Sequence, residues 1–207
     1  MLGVLAQTFK SLIEKYAGPD ASEQCWLELS SAYSEPSRHY HTLTHLYHLL
    51  AQLLPAKQEI KNFDAVLFAL YYHDFIYNVS AKDNEEKSAE SASSILNELH
   101  VPRATIDSCL QHILATKIHA LSESHDTNLF TDSDLAILGH EWNSYRTYCE
   151  QVRQEYAIYP DTLYKPGRRK VLEHLLAMKS IFKTDRFIKQ FENQARLNLA
   201  REINDLL

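Results

Sequence analysis

Turn-forming punctuation is sparse in this chain. Four glycines and six prolines are spread over 207 residues, and between them no stretch sustains the two-residue apolar–polar alternation of a half-buried strand. Helical spacing dominates instead, so the chain reads as all-α. The spacing predicts a helix over residues 4–17, closed by Gly18-Pro19, with glycine past the helix end and proline blocking continuation. A second, capped by Asp20 or Ser22, runs to about Tyr33, and the segment 34–41 is irregular. Further helices are expected over 42–54, 63–77, a polar entry at 80–88 leading through Ala89, Ala92, Ile95, Leu96 and Leu99, and 102–120 with Pro102 at its start. Residues 121–128 read as loop, Asp132 begins the next helix with Gly139 interrupting it, and an aromatic-rich helix spans 142–156. Tyr164-Lys-Pro-Gly-Arg-Arg reads as a turn into a helix over 170–181, and a last helix covers 185–207. With no repeat or linker, the length suits one domain over 1–207, its core motifs in 38–140 and the helices of 141–207 packed on them.

Composition narrows the function. Hydrophobic residues make up 45% of the chain, enough for a sizeable core without disulfides, and Cys25, Cys109 and Cys149 are odd in number and far apart. That pattern suits buried thiols in a reducing compartment. The N-terminus has no basic region before an apolar run, and no stretch is long enough to span a bilayer, so a cytoplasmic protein without membrane attachment is expected. A net charge of −6 argues against non-specific grip on duplex nucleic acid, which depends on clustered Lys and Arg. Eleven histidines are many for this length, and His39, His41, His45 and His48 fall within ten residues.

The apolar run Asp64-Ala-Val-Leu-Phe-Ala-Leu-Tyr-Tyr reads as a buried helix, yet it ends on His73-Asp74. A carboxylate at the edge of a core is costly unless it is paired, hydrogen-bonded or bound to a cation, and imidazole is the commonest ligand for a divalent metal. His41 and His45 are four apart, one helical turn, although His41-Thr-Leu-Thr-His45 lacks the glutamate of a zincin motif. Each histidine has a plainer reading as a hydrogen-bonded core residue. Asp132 and Asp134 could cap a helix or complete a ligand set, and Glu85 could complement a helix dipole. Lys117, Arg168 and Arg169 are cations suited either to phosphate or to a solvated surface.

The order of these pieces, a histidine, a His-Asp doublet about 28 residues later and an aspartate some sixty residues beyond, resembles the H...HD...D motif of the HD superfamily of metal-dependent phosphohydrolases. Arg38-His-Tyr-His-Thr-Leu-Thr-His, Asp83-Asn-Glu-Glu-Lys-Ser-Ala, Ile113-Leu-Ala-Thr-Lys-Ile-His, Asp132-Ser-Asp-Leu-Ala-Ile-Leu-Gly and Tyr164-Lys-Pro-Gly-Arg-Arg extend the similarity to a bacterial group of predicted HD phosphohydrolases, over about residues 38–200. The resemblance implies an HD-type helical bundle. It also implies one divalent metal (Mn, Fe, Co, Ni or Zn) on His45, His73, Asp74 and Asp134, with His41 and Asp132 as alternates. Asp74, Glu85 and His119 would be catalytic, and Arg38, Lys117 and Arg168 would hold phosphate. The substrate would be a nucleotide or another small phosphorylated metabolite, with homodimer formation left open. Two rivals remain: a metal-containing HD sensor without turnover, and a diiron oxygenase that would recruit His112 or His119.

Overall fold

The computed structural model describes residues 2–206, and every regular element among them is helical. They form two compact units, one reaching Thr131 and the other beginning at Asp132.

The first unit is built around α4 (Phe63–Tyr72). All eight residues from Ala65 to Tyr72 are buried, because α4 packs against α1 (Leu2–Ile13), α3 (Leu43–Leu53), α5 (Asn84–Glu98) and α6 (Arg103–Ala115). A helix apolar on every side is stable only when surrounded in this way. Phe9 of α1 meets Tyr71 edge-on at 4.7 Å between ring centres, and the Tyr71 hydroxyl donates to the Leu5 carbonyl at 3.0 Å. α2 (Pro19–Ala32) lies on α1. The start of α4 is fixed twice: the Asn62 side chain accepts from the Ala65 amide, and the Asp126 carboxylate accepts from the Lys61 and Asn62 amides.

Three boundaries near the doublet differ from expectation. α4 stops at Tyr72, since the chain turns at the doublet and the Phe75 amide bonds the Tyr72 carbonyl at 3.2 Å. α6 ends at Ala115, not Ala120, and His119 has φ 49, a left-handed conformation uncommon for a residue with a Cβ. His41 precedes α3, because Thr42 is extended and its side chain caps the Thr44 amide. The one-turn spacing of His41 and His45 therefore does not apply.

The largest difference is α7 (His125–Asp134), which begins inside the expected loop. Its start is organised by polar side chains: Asn128 bonds both the amide and the carbonyl of Ser122, and Ser124 accepts from the Thr127 amide. Asp132 and Asp134 thus stand at the end of this helix and do not open it; Asp134 leads into the 3₁₀ segment 135–139 without a side-chain bond capping it.

In the second unit a 3₁₀ segment (Leu135–Gly139) packs against α8 (Trp142–Glu155) and α11 (Asn193–Asp205). The Asn198 side chain donates to the Leu138 and His140 carbonyls, at 2.8 Å each. Gly139 has no room for a side chain: a Cβ would lie 2.6 Å from the Phe191 carbonyl oxygen. The expected turn at 164–169 lies inside α9 (Asp161–Ala177). Pro166 falls in its second turn, where the carbonyl it leaves unpaired, that of exposed Thr162, can face water. A short helix α10 (Asp185–Phe187) and a π turn (Ile188–Glu192) lead into α11, and Glu192 accepts from the Ile181 and Phe182 amides.

Candidate metal centre

The site grows from the two ends of helices in the first unit. α3 carries His45 in its first turn, and α4 delivers His73 at its C-cap with Asp74 next in sequence. His45 and His73 are 4% and 1% exposed, and the Asp74 side chain is half-buried at 18%. The two His Nε2 atoms are 3.2 Å apart, His73 Nε2 is 3.1 Å from Asp74 Oδ2, and His45 Nε2 is 4.0 Å from the same oxygen.

The tautomer of His73 follows from its other nitrogen. Nδ1 lies 3.0 Å from the Leu70 carbonyl, which can only accept, so Nδ1 carries a proton. In the neutral ring Nε2 is then a lone pair. This is the arrangement by which a metal-binding histidine is usually oriented, its second nitrogen donating to a carbonyl. The Leu70 oxygen is available because the last carbonyls of a helix have no partner within it. A second imidazole nitrogen 3.2 Å from that lone pair must either donate a proton to it or share a cation with it.

The donor set fits a cation. A triangle with the three measured sides has a circumradius of about 2.0 Å, so one point stands at that distance from all three atoms. Zinc bonds to imidazole nitrogen and carboxylate oxygen are roughly 2.0–2.2 Å. His45, His73 and Asp74 form a group able to hold a metal ion among the described residues.

The walls of the site are aromatic. Phe130 stands edge-on to His73 at 5.8 Å, Tyr40 lies 4.9 Å from the His45 ring, and Tyr77 packs at 4.3 Å against His41. His41 Nε2 is 3.9 Å from Asp74 Oδ2, beside the three-residue group and not a member of it. The loop that follows the doublet is tied to α5: Ser88 Oγ accepts from the Ile76 amide and donates to the Ile76 carbonyl, and the Asn84 side chain bonds the amide and carbonyl of Asn78. Glu85 sits half-buried between these two anchors.

The remaining expected residues have other surroundings. Arg38 is 5% exposed; its guanidinium donates to the carbonyls of Asp74 (2.7 Å), Phe75 (2.9 Å) and His41 (3.3 Å), between the rings of Tyr33 and Tyr77. Those bonds take both hydrogens of Nη1 and one of Nη2, while the buried Nε has no hydrogen-bond partner among the described residues. Lys117 pairs with Glu86 and donates to the Lys82 carbonyl, and the Glu86 hydrogen bond raises the lysine's pKa. Arg168 in the second unit forms a buried two-point pair with Glu202 at 2.7 and 3.1 Å and also donates to Tyr148, whereas the sequence reading offered it to phosphate. Arg169 pairs with Glu173 one turn along α9. His119 follows α6 and is not one of the three clustered residues.

Of the carboxylates expected as a fourth ligand, both belong to the second unit. Asp132 is wholly buried and accepts from the amides of Lys183 and Thr184 and the Thr184 hydroxyl, with Lys183 Nζ at 3.4 Å. Burial raises its pKa against the opposing pull of Lys183, and burial likewise lowers the lysine's. Its oxygens hold the loop before α10. Asp134 is half-buried at the end of α7.

His112 occupies a separate buried position. Its Nδ1 is 2.9 Å from the Thr127 hydroxyl, its ring lies 6.1 Å from Phe130, and burial pushes its pKa down to about 4 against the pull of Asp126.

Sequence reasoning missed Phe130, Ser88 and the Leu70 carbonyl. Only the last had a readable signal, since it stands three residues before His73 at a helix end. Comparison of the chain with known protein families, with curated proteins and with solved structures returns no match.

Proposed function

We propose that the protein is a metal-dependent phosphohydrolase of the HD type acting on a nucleotide or other small phosphorylated metabolite. The observation that carries this reading is the triangle of His45 Nε2, His73 Nε2 and Asp74 Oδ2, whose common centre lies one metal–ligand bond from each. A divalent ion there supplies Lewis-acid polarisation of a phosphoryl oxygen and lowers the pKa of water at the site. The chain's own contribution is orientation and exclusion of bulk water. The Leu70 carbonyl fixes the His73 tautomer, and Phe130 and Tyr40 shield the imidazoles. Asp74, the most exposed of the three, faces the side from which substrate and water arrive, and its second oxygen is suited to orient that water. Glu85, on the helix turn stapled to the same loop, is the proposed proton acceptor, and His119 the proposed donor to the leaving group. Elemental analysis of the purified protein tests the reading, followed by a phosphatase and nucleotidase screen with Mn²⁺, Co²⁺, Ni²⁺ and Mg²⁺ added separately. One transition-metal equivalent with turnover of a phosphoester supports it; a metal-free protein that takes up none of these ions refutes it.

A second reading, a metal-containing sensor without turnover, is favoured by one specific observation. Arg38, Lys117 and Arg168, the three cations expected to grip phosphate, all bond partners within the chain. A protein that binds one compound of the screen and returns it unchanged over hours fits that reading and not the hydrolase.

A further inference from the structure

The two segments that supply the cluster reach it from different directions, one entering α3 and one leaving α4, and a single side chain bonds both. Resting on the metal reading above, we infer that Arg38 is a positioning residue that ties the doublet to the entry of α3 and so sets the ligand spacing. Its Nη1 bonds the carbonyls of Asp74 at 2.7 Å and His41 at 3.3 Å, and its Nη2 bonds the Phe75 carbonyl at 2.9 Å. The Tyr33 and Tyr77 rings cover the guanidinium at 4.8 and 5.3 Å from their centres, which fixes its plane. Residues 74–77 and 39–41 lie outside the helices, so helical hydrogen bonding does not set their position.

The consequence is geometric. Asp74 lies past the end of α4, and its carboxylate must stay 3.1 Å from His73 while His45 stays 3.2 Å from the same imidazole. Anchoring the Asp74 carbonyl fixes the peptide from which the carboxylate projects. Anchoring the His41 carbonyl fixes the chain just before the helix that carries His45. Only a planar fork reaches all three acceptors; an ammonium at the end of a lysine is a point donor. Partners of this kind around a metal site typically contribute about 10- to 100-fold in affinity.

The test compares wild type, Arg38→Ala and Arg38→Lys by Co²⁺ titration, with visible absorption to report ligand geometry. The metal-free proteins are compared by amide exchange over residues 73–78, where the His73, Phe75, Ile76 and Asn78 amides are hydrogen-bonded. Circular dichroism sets a temperature at which every variant is folded. Expected for Arg38→Ala are a Kd raised about 10- to 100-fold, an altered Co²⁺ spectrum and faster exchange across 73–78; Arg38→Lys keeps the charge and still binds several-fold more weakly than wild type. A residue that served only global stability would lower Tm and leave the folded protein's Kd and spectrum unchanged, and that result overturns the inference. Arg38→Lys decides the matter where the alanine variant does not fold. If wild type itself takes up no Co²⁺ the metal reading fails separately, and unchanged exchange at 73–78 in the variants still refutes the tie.

Discussion

Acid should loosen the first unit through one histidine. His112 is 2% exposed, bonded through Nδ1 to Thr127, and its folded pKa is pushed down to about 4 by burial, with Asp126 pulling weakly the other way. In the unfolded chain the same imidazole titrates near 6.5. Between those two values the unfolded state carries a proton that the folded state refuses, so stability rises with pH across the window and is lost as pH falls from about 6.5 toward 4. Below pH 4 both states are protonated and the loss levels off. At pH 5 the binding polynomials of the two states differ by about 1.5 log units, which at 1.36 kcal/mol per unit is about 2 kcal/mol lost relative to pH 7.5.

Other groups titrate over this range, so the measurement is a difference. Urea unfolding of wild type and His112→Gln is followed at pH 7.5, 6 and 5, with a chelator present so that metal binding adds no proton linkage of its own. Glutamine can still bond the Thr127 hydroxyl but does not ionise. The variant is expected to be less stable at pH 7.5, because the ring packs on Phe130, and to lose about 2 kcal/mol less than wild type on going to pH 5. With a urea dependence of about 2–3 kcal/mol/M, the wild-type midpoint should fall by about 0.7–1 M more than the variant's. Parallel losses in the two proteins would show that His112 is protonated in the folded state and that the burial argument is wrong.

Four further outcomes follow. His73→Ala and Asp74→Ala should each lose bound metal while keeping the helical circular dichroism signal, checked by elemental analysis of the dialysed proteins; retained stoichiometric metal in either would dissolve the site. Adding metal at 100 times its Kd should stabilise the protein by about 2.7 kcal/mol, read as a Tm rise that a chelator reverses. Gly139→Ala should destabilise the second unit by about 1–3 kcal/mol or more, because the new methyl meets the Phe191 backbone, which cannot swing aside as a side chain would; an unchanged Tm would contradict that packing. Glu202→Gln should cost about 3–5 kcal/mol in chemical unfolding, since it strands the Arg168 cation, only 10% exposed, beside Tyr145 and Tyr148.

Helix content was legible because it depends on local pattern: sparse Gly and Pro, long apolar runs and breaks that could be read directly, such as Gly18-Pro19 after α1. The cap expected at Asp20 or Ser22 falls instead on Gly18, because Pro19 already opens α2 and both polar residues lie inside it. Where pattern failed, polar side chains replaced apolar ones as the organising force. α7 has only Leu129 and Phe130 as apolar residues, yet Asp126, Thr127, Asn128, Thr131, Asp132 and Ser133 are buried with them; Asp126 and Asp132 accept from distant amides, Thr127 bonds His112, and Thr131 bonds the helix's own carbonyls. Such residues read as loop in any window, because the amides that satisfy Asp126 come from residues 61 and 62 and those that satisfy Asp132 from 183 and 184. The end of α4 was hidden for a related reason. The turn that ends the helix, the Phe75 amide on the Tyr72 carbonyl, is short, and the Asp74 and Phe75 carbonyls beyond it are taken by Arg38, thirty-six and thirty-seven residues earlier.

The candidate site divides along the same line. His45, His73 and Asp74 were legible as candidates because imidazole and carboxylate next to buried apolar runs need a physical reason to be there, and the structure brings these three together in a group that could hold a metal ion. The cations were not readable, since sequence gives an arginine's charge and not its neighbours. Arg38 and Arg168 look alike as text, but one forks across three carbonyls and the other is locked on Glu202. This bears on which proposed function survives. A hydrolase that takes a phosphorylated substrate needs positive charge at the phosphate, and with these three side chains engaged, that charge must come from the ion itself or from a residue that changes partners on binding. Of the three, Lys117 is the candidate best placed to do so: its pair with Glu86 is solvent-exposed, and water screens such pairs. Lys117→Met should therefore raise KM for a phosphoester several-fold at unchanged metal content if substrate recruits it. An unchanged KM would show that substrate does not recruit Lys117.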